Sequence, residues 1–87
     1  MAKALGRLWE QVERQPHNVH FSDFCRLIAW FGFVRKGGKG SHQTYFHPGV
    51  REILDVQPLG GEAKPYQIRQ LIRLVRQYGL TGRNEET

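Results

Sequence analysis

A short basic segment, Lys36-Gly37-Gly38-Lys39-Gly40-Ser41-His42, places one imidazole beside two cations and three glycines. Glycine has no Cβ, so the backbone amides of such a turn can approach a bound anion closely. Histidine is the side chain that takes or gives a proton near neutral pH. The segment therefore predicts a phosphate-binding turn that carries an acid–base group, His42.

Positive charge is segregated along the chain, whose formal net charge is +5. No acidic residue lies between Asp23 and Glu52, and a second acid-free stretch runs from Lys64 to Arg83. The basic residues inside these intervals are Arg26, Arg35, Lys36, Lys39, Arg51, Arg69, Arg73 and Arg76. This pattern favours a polyanionic partner, because phosphate contacts release counterions. An acidic protein partner or a solvated basic face fits the same charges.

Length and composition limit the class of protein. A chain of 87 residues, 39% of them apolar, predicts one compact domain over residues 1–87 and excludes a large enzyme with a deep cofactor crevice. Cys25 is the single cysteine, so we expect a small buried apolar residue and no disulfide, metal or cofactor site. No apolar run approaches membrane-spanning length, and the N-terminus lacks the apolar core of a signal peptide. These features predict a soluble, cytoplasmic protein.

Two amphipathic helices are predicted before the basic segment. The first, over residues 3–15, has an apolar stripe, and the polar loop after it carries His17 and His20, which we expect to be exposed. The second begins at Ser22 as N-cap and runs towards Gly32. Trp30 lies off its apolar stripe and is expected to pack on the first helix, with a stacking platform for a base as the alternative. The two stripes are Leu5, Leu8, Trp9 and Val12, and Phe24, Leu27, Ile28 and Phe31.

The elements that must position His42 are extended. Residues 33–36 and 41–47 predict a hairpin closed by the glycine loop 37–40, and residues 51–56 predict a third antiparallel strand. By alternation His42 shares a face with Thr44 and Phe46, one of which we would expect in the core. A bulge at Ser41, or a site at the very start of the strand, would resolve this conflict. His47 points to the opposite face and is interpreted as a strand-end residue.

A final helix is predicted from Pro65, where a missing N–H is tolerated, to Gly79 as a left-handed C-cap, followed by a frayed tail over 81–87. Pro58 and Gly60-Gly61 break the chain before it. Its buried stripe is Ile68, Leu71, Ile72 and Val75, beside a parallel stripe of Arg69, Arg73 and Arg76. Without the first helix, the order α-β-β-β-α predicts an α+β fold: a three-stranded antiparallel sheet with both helices on one face, as in double-stranded RNA-binding domains.

Four short motifs occur in a fixed order: Gly32-Phe33, Gly40-Ser41-His42, His47-Pro48 and Lys64-Pro65. In this order and spacing the chain resembles the HicA family of small toxins from Ser22 to Leu80. The resemblance implies the same double-stranded-RNA-binding-domain-like fold, ribonuclease activity on messenger RNA, a HicB-type antitoxin partner and His42 as the catalytic histidine. It also makes the helix over residues 3–15 additional to the family pattern.

The chain departs from the family at one point. Members often carry Val-Pro-x-x-His after the third strand, whereas Val56-Gln57-Pro58-Leu59-Gly60 has no histidine. If that residue assists catalysis elsewhere in the family, this protein is expected to be slow or inactive.

RNA supplies its own nucleophile, the 2′-hydroxyl beside the scissile phosphate. The hypothesis is that His42 acts, without metal, as general base on that hydroxyl or general acid to the leaving 5′-oxygen. Lys36, Lys39 and the backbone amides of the turn would stabilise the extra charge of the transition state. The expected RNA-binding residues are Arg35, Lys36, Lys39, Gly40, Ser41, Arg69, Arg73 and Arg76. A non-catalytic RNA-binding module of the same fold and a basic protein-interaction domain stay as alternatives.

Overall fold

Three helices and a three-stranded antiparallel sheet surround one cluster of buried apolar side chains in the computed structural model, which describes residues 4–83. The helices are α1 (Leu5–Arg14), α2 (Phe21–Trp30) and α3 (Pro65–Tyr78). The main sheet contains β1 (Val34–Gly37), β2 (Gln43–Phe46) and β3 (Leu54–Val56), in the order β1-β2-β3. The predicted α+β class, with three helices and a three-stranded sheet, is confirmed.

Helix α1 adds a layer to the core through Leu5, Trp9 and Val12, which are buried. The Trp9 indole meets the Phe31 ring edge to face, with 4.7 Å between centroids. The helix lies inside the predicted range 3–15, although Lys3 itself is outside the described residues. Its apolar stripe therefore extends the core beyond what α2, α3 and the sheet bury.

Helix α2 begins at Phe21, one residue before the predicted N-cap Ser22, so that prediction was wrong. The residue before the helix is His20, which makes no side-chain capping bond. Instead the Phe21 amide donates to the Gly61 carbonyl at 3.0 Å, and the His20 carbonyl accepts from Phe24. A contact with a distant segment therefore determines where this helix starts. Rules based on local capping residues do not include such contacts.

That contact comes from a small hairpin that the sequence did not predict, β4 (Pro58–Leu59) paired with β5 (Glu62–Ala63). Gly60 and Gly61 form its tight turn with φ of 61° and 81°, a left-handed pair that glycine adopts without strain. The Ala63 amide donates to the Val19 carbonyl at 2.8 Å. The segment interpreted as a simple break therefore ties the loop before α2 to the end of the sheet.

One face of the main sheet is covered by helices and the other is open. Tyr45, Leu54 and Val56 are buried on the covered face, and Tyr45 pairs directly with Leu54. The third strand is shorter than the predicted 51–56, because residues 51–52 bend and Val50 bonds back to the His47 carbonyl. The open face is the one that Thr44 and Asp55 share, since they too are paired.

Helix α3 begins and ends as predicted, with Pro65 at its start and Gly79 as a left-handed C-cap at φ 62° and ψ 39°.

The chain after α3 is anchored to the rest of the fold as far as Arg83, so the prediction of a frayed tail was wrong for residues 81–83. The Arg83 amide donates to the Trp30 carbonyl at 2.8 Å, and the Trp30 indole N–H donates to the Arg83 carbonyl at 2.6 Å. Residues 84–87 lie outside the described part. Within residues 4–83, no helix combines the length and apolarity needed to cross a membrane.

Candidate active site on the open face of the sheet

His42 lies where the β1–β2 hairpin turns back into β2. Its amide donates to the Lys39 carbonyl at 2.9 Å, closing a tight turn through Gly40, which has φ of 58°. The strand pairing shifts by one residue between Arg35 and Gly37, so the irregularity is in β1 and not at Ser41. The turn is therefore the local structure that sets where the imidazole stands.

Gly38 is the residue on which this turn depends most closely. Its φ is 125°, and a Cβ built there would overlap the His42 carbonyl oxygen and lie 2.9 Å from the Gln43 Cα. A Cβ built in the same way at the neighbouring Gly37 would have no heavy atom within 4 Å. The backbone of residue 38 therefore touches the backbone that carries His42, and only glycine permits that approach.

The imidazole of His42 has a carboxylate neighbour that sequence reasoning did not identify. Its Nε2 lies 3.8 Å from Asp55 Oδ1, and the two side chains are 48% and 60% exposed. The same Asp55 oxygen accepts a hydrogen bond from Thr44 Oγ1 at 2.7 Å. Asp55 is one strand away, opposite Thr44, so it could have been found from the sequence only by fixing the β2–β3 register.

The expected conflict over the face of His42 does not arise. His42, Thr44 and Phe46 do share a face, but neither Thr44 nor Phe46 belongs to the core, because that face of the sheet is open. Tyr45 supplies the core contact of β2 instead. His42 therefore stands at the start of a strand, with its ring on the uncovered side.

The cations of the hairpin surround the turn and are exposed. Arg35 and Lys36 belong to β1, whereas Lys39, Gly40 and Ser41 form the turn. Within residues 4–83 none of the three cations pairs with a carboxylate; Arg35 Nε makes one long bond to the Gly37 carbonyl, at 3.4 Å. The hairpin thus presents positive charge that no carboxylate of the described chain offsets.

The arginines of α3 lie elsewhere and are mostly engaged. Arg73 binds both oxygens of Glu52, at 2.8 and 3.3 Å, and Arg76 binds Glu13 at 3.3 Å. The hydrogen bond from Arg73 lowers the pKa of Glu52 and raises the pKa of the guanidinium. These arginines and Arg69 border a groove of about 640 Å³ between α1 and α3, together with Glu13, Pro16, Ile72 and Gln77. The fold therefore separates the predicted RNA-binding residues into two groups.

His47 is held at the end of β2, as predicted. Its Nδ1 accepts a hydrogen bond from the Gly49 amide at 2.9 Å, and its ring packs 5.1 Å from that of Phe33. His17 and His20 are exposed, as predicted for the loop before α2. Three of the four histidines therefore have structural or surface positions, and His42 is the one beside the unpaired cations of the turn.

Cys25 is half-buried on the covered side of the sheet, not fully buried as predicted. It donates to Gln43 Oε1 at 3.6 Å, and the Tyr45 hydroxyl donates to the same oxygen at 2.5 Å. Burial raises the pKa of the Cys25 thiol and raises the pKa of Tyr45 to about 12. Both groups are therefore protonated near neutral pH, which does not favour a reactive thiolate.

No imidazole follows β3, where Gln57 leads into Pro58 and Leu59, the first strand of the small hairpin. Among residues 4–83, no three histidine, cysteine, aspartate or glutamate side chains gather as metal ligands would. The acid–base and anion-binding chemistry available here comes from His42, Asp55, Thr44 and the cations of the turn.

Comparison with known families gives one match. The model of a family described as the HicA toxin of bacterial toxin-antitoxin matches residues 21–80, well over half of the chain. No curated protein and no solved structure matches. The matched range begins at the start of α2 and ends just after the C-cap of α3, so it includes the whole hairpin and omits α1.

Proposed function

The chain belongs to the HicA toxin family of bacterial toxin–antitoxin systems, and from this premise we propose that it is a metal-independent endoribonuclease in which His42 transfers the proton. The main support for the proposal is the position of His42. Its half-exposed imidazole lies on the open face of the sheet, beside the Asp55 carboxylate and directly after the cationic glycine turn. Such groups can supply the acid–base help and the charge stabilisation that accelerate cleavage of an RNA phosphodiester.

In the proposed reaction the 2′-oxygen of RNA attacks the adjacent phosphorus as His42 takes the 2′-hydroxyl proton. The bond from phosphorus to the 5′-oxygen then breaks, and the His42 imidazolium gives its proton to that oxygen, which restores the neutral imidazole. The products are a 2′,3′-cyclic phosphate and a free 5′-hydroxyl. Because Nε2 faces Asp55, the other ring nitrogen, Nδ1, is the one directed to substrate in this scheme.

Asp55 would stabilise the imidazolium that forms when His42 takes the proton. A carboxylate beside a catalytic histidine orients the ring and offsets its positive charge. The bond from Thr44 to Oδ1 holds the carboxylate in place across the strand pair. Lys36, Lys39 and the turn amides would stabilise the negative charge that develops on the phosphorane-like transition state.

The family implies an antitoxin partner. We propose a HicB-type antitoxin that covers His42 and meets the unpaired cations of the hairpin with acidic groups, because blocking this one face would block the reaction. The proposed substrate is messenger RNA, which places the action of the toxin in the cytoplasm. Co-expression with a HicB-type antitoxin should yield a complex in which RNA is no longer cut.

Analysis of the cleavage ends in the presence of EDTA tests the reaction. The protein is incubated with a short RNA, the cut position is mapped, and a second RNA is made with a single 2′-deoxyribose on the 5′ side of that position. The proposal expects cyclic phosphate and 5′-hydroxyl ends from the first RNA and no cut at that position in the second. Cleavage of the 2′-deoxy linkage, or activity that EDTA abolishes, would contradict it.

A further inference from the structure

Three large apolar side chains lie exposed on the open sheet face, beyond the groups used above. Val34 is 49% exposed, Phe46 37% and Ile53 43%. Val34 pairs directly with Phe46 across β1 and β2. On the other side Tyr45 pairs with Leu54, and Ile53 comes just before β3, so continuing the register by one residue brings it towards Phe46. The three side chains therefore form one row across the sheet, called here the apolar row, with an aromatic ring at its centre.

The apolar row is aligned with the candidate active site. Phe46 and His42 belong to the same stretch of chain and the same face, with Thr44 between them. Four residues of strand at about 3.4 Å each separate them by roughly 14 Å. A chain molecule bound along β2 would therefore meet the ring and the imidazole in succession.

We propose that the apolar row is a stacking platform for a nucleobase of single-stranded RNA that flanks the cleavage position. The assignment of the scissile phosphate to His42 rests on the function proposed above, whereas the platform itself is a binding site. Exposed aromatic rings on a sheet bind unpaired bases by stacking, while basic side chains hold the backbone. Here Phe46 supplies the ring, and Lys36 and Lys39 supply exposed charge along the same hairpin. Arg35 pairs with Tyr45 and so belongs to the opposite face.

The surroundings of the row favour RNA over an apolar protein surface. A purely apolar protein surface over the row and the site together would also cover His42, Thr44 and Asp55, which are polar and side by side, whereas the antitoxin proposed above would meet the site with acidic groups. Burying polar groups without new partners is costly. A nucleotide strand offers a flat apolar base and polar sugar and phosphate groups in alternation. Single-stranded RNA fits better than a duplex, because the base faces of a duplex are already stacked.

Binding can be measured without cleavage in the His42→Ala background. A fluorescein-labelled 12-nucleotide RNA of mixed sequence is titrated with five proteins: the parent, Phe46→Ala, Phe46→Leu, Phe46→Tyr and Leu59→Ala. Leu59→Ala is the matched control, since Leu59 is apolar and 71% exposed but lies in β4, outside the main sheet. Thermal melts of each variant verify folding, which we expect to be kept because the Phe46 side chain is outside the core.

Loss of one stacked base is expected to weaken binding of Phe46→Ala by roughly 5- to 150-fold. Phe46→Leu should be weakened too, because leucine has no ring, whereas Phe46→Tyr and Leu59→Ala should bind like the parent. A 2-aminopurine base in the same RNA should lose fluorescence on binding to the parent and not to Phe46→Ala.

Equal affinity of Phe46→Ala and the parent would overturn the platform, as would a parent that binds no RNA. Full binding by Phe46→Leu would also overturn it, because an apolar contact of the kind used by a protein partner would then suffice. The proposed function fails separately: an unmutated protein that leaves RNA intact in EDTA, yet binds RNA in a Phe46-dependent way, would keep the platform and remove the nuclease.

Discussion

If the protein acts as proposed, replacing Gly38 by alanine should strongly slow RNA cleavage while leaving the protein folded. A Cβ at this position would overlap the His42 carbonyl oxygen and lie 2.9 Å from the Gln43 Cα, closer than the 3.0 Å that real Cβ contacts essentially never cross. Both opposing atoms are backbone, so no side chain can rotate away. The turn itself must move, and His42 must move with it.

The size of the effect follows from this geometry. Holding alanine at a φ of 125° costs about 1–3 kcal/mol, to which the displacement of the turn adds. A shift of about 1 Å in a reacting group costs on the order of 10²-fold in rate. The core should survive, since residues 37–42 are exposed or on the open face. We therefore expect single-turnover cleavage to fall by about 10²-fold or more, with a modest loss of stability.

Two neighbouring glycines provide controls. Gly37→Ala adds the same methyl group where no heavy atom lies within 4 Å, so it should leave the rate nearly unchanged. Gly40→Ala adds it at a φ of 58° with the same open space, so it introduces strain without overlap. The assay is single-turnover cleavage of a labelled RNA in EDTA, with urea unfolding measured in parallel. Equal rates for Gly38→Ala and Gly37→Ala would refute the reasoning.

Three further predictions test other parts of the structure. Asp55→Asn should lower the cleavage rate by only about 2- to 5-fold, more at low salt, because the contact with His42 is 3.8 Å long and exposed; a loss of 10³-fold in single-turnover assays would contradict this. The lowered pKa of Glu52 means that its pairing with Arg73 stabilises the fold above the usual value of 4.5 and is lost as pH falls through the lowered value. Glu52→Gln should therefore reduce the melting temperature at neutral pH and not in strong acid, and an equal reduction at both would refute the pairing. Gly82→Ala should release the end of the chain, because a Cβ there would overlap the Trp30 ring; amide exchange at Arg83 should become fast while that of Leu71 stays slow, and slow exchange at Arg83 would count against the docking.

The sequence predicted elements well where one local pattern decided them. The stripe of α2, Pro65 at the start of α3 and Gly79 at its end each depend on residues a few positions apart. The predictions failed where distant backbone decided the outcome. Phe21 starts α2 because its amide reaches Gly61, and Arg83 is held because it meets Trp30.

The residues of the candidate site also fall into those that a local pattern indicated and those that depend on distant contacts. His42 and the cations of the turn are consecutive in the chain, so their types and spacing indicated them directly. Asp55 could not be found that way, because its closeness to His42 depends on which residue of β3 faces Thr44. The arginine stripe of α3 was visible as a pattern, but Glu13 and Glu52, which pair with Arg76 and Arg73, lie far away in the sequence. Their pairing could not be read from helical spacing alone.

The most direct test compares the unmutated protein with His42→Ala, in single-turnover cleavage of one RNA in EDTA, with binding of that RNA measured on the same preparations. His17→Ala is the matched control, because it removes an exposed histidine from the loop before α2. We predict a loss of about 10²- to 10⁴-fold in rate for His42→Ala alone, with RNA affinity nearly unchanged. Equal cleavage by His42→Ala and the unmutated protein would contradict it.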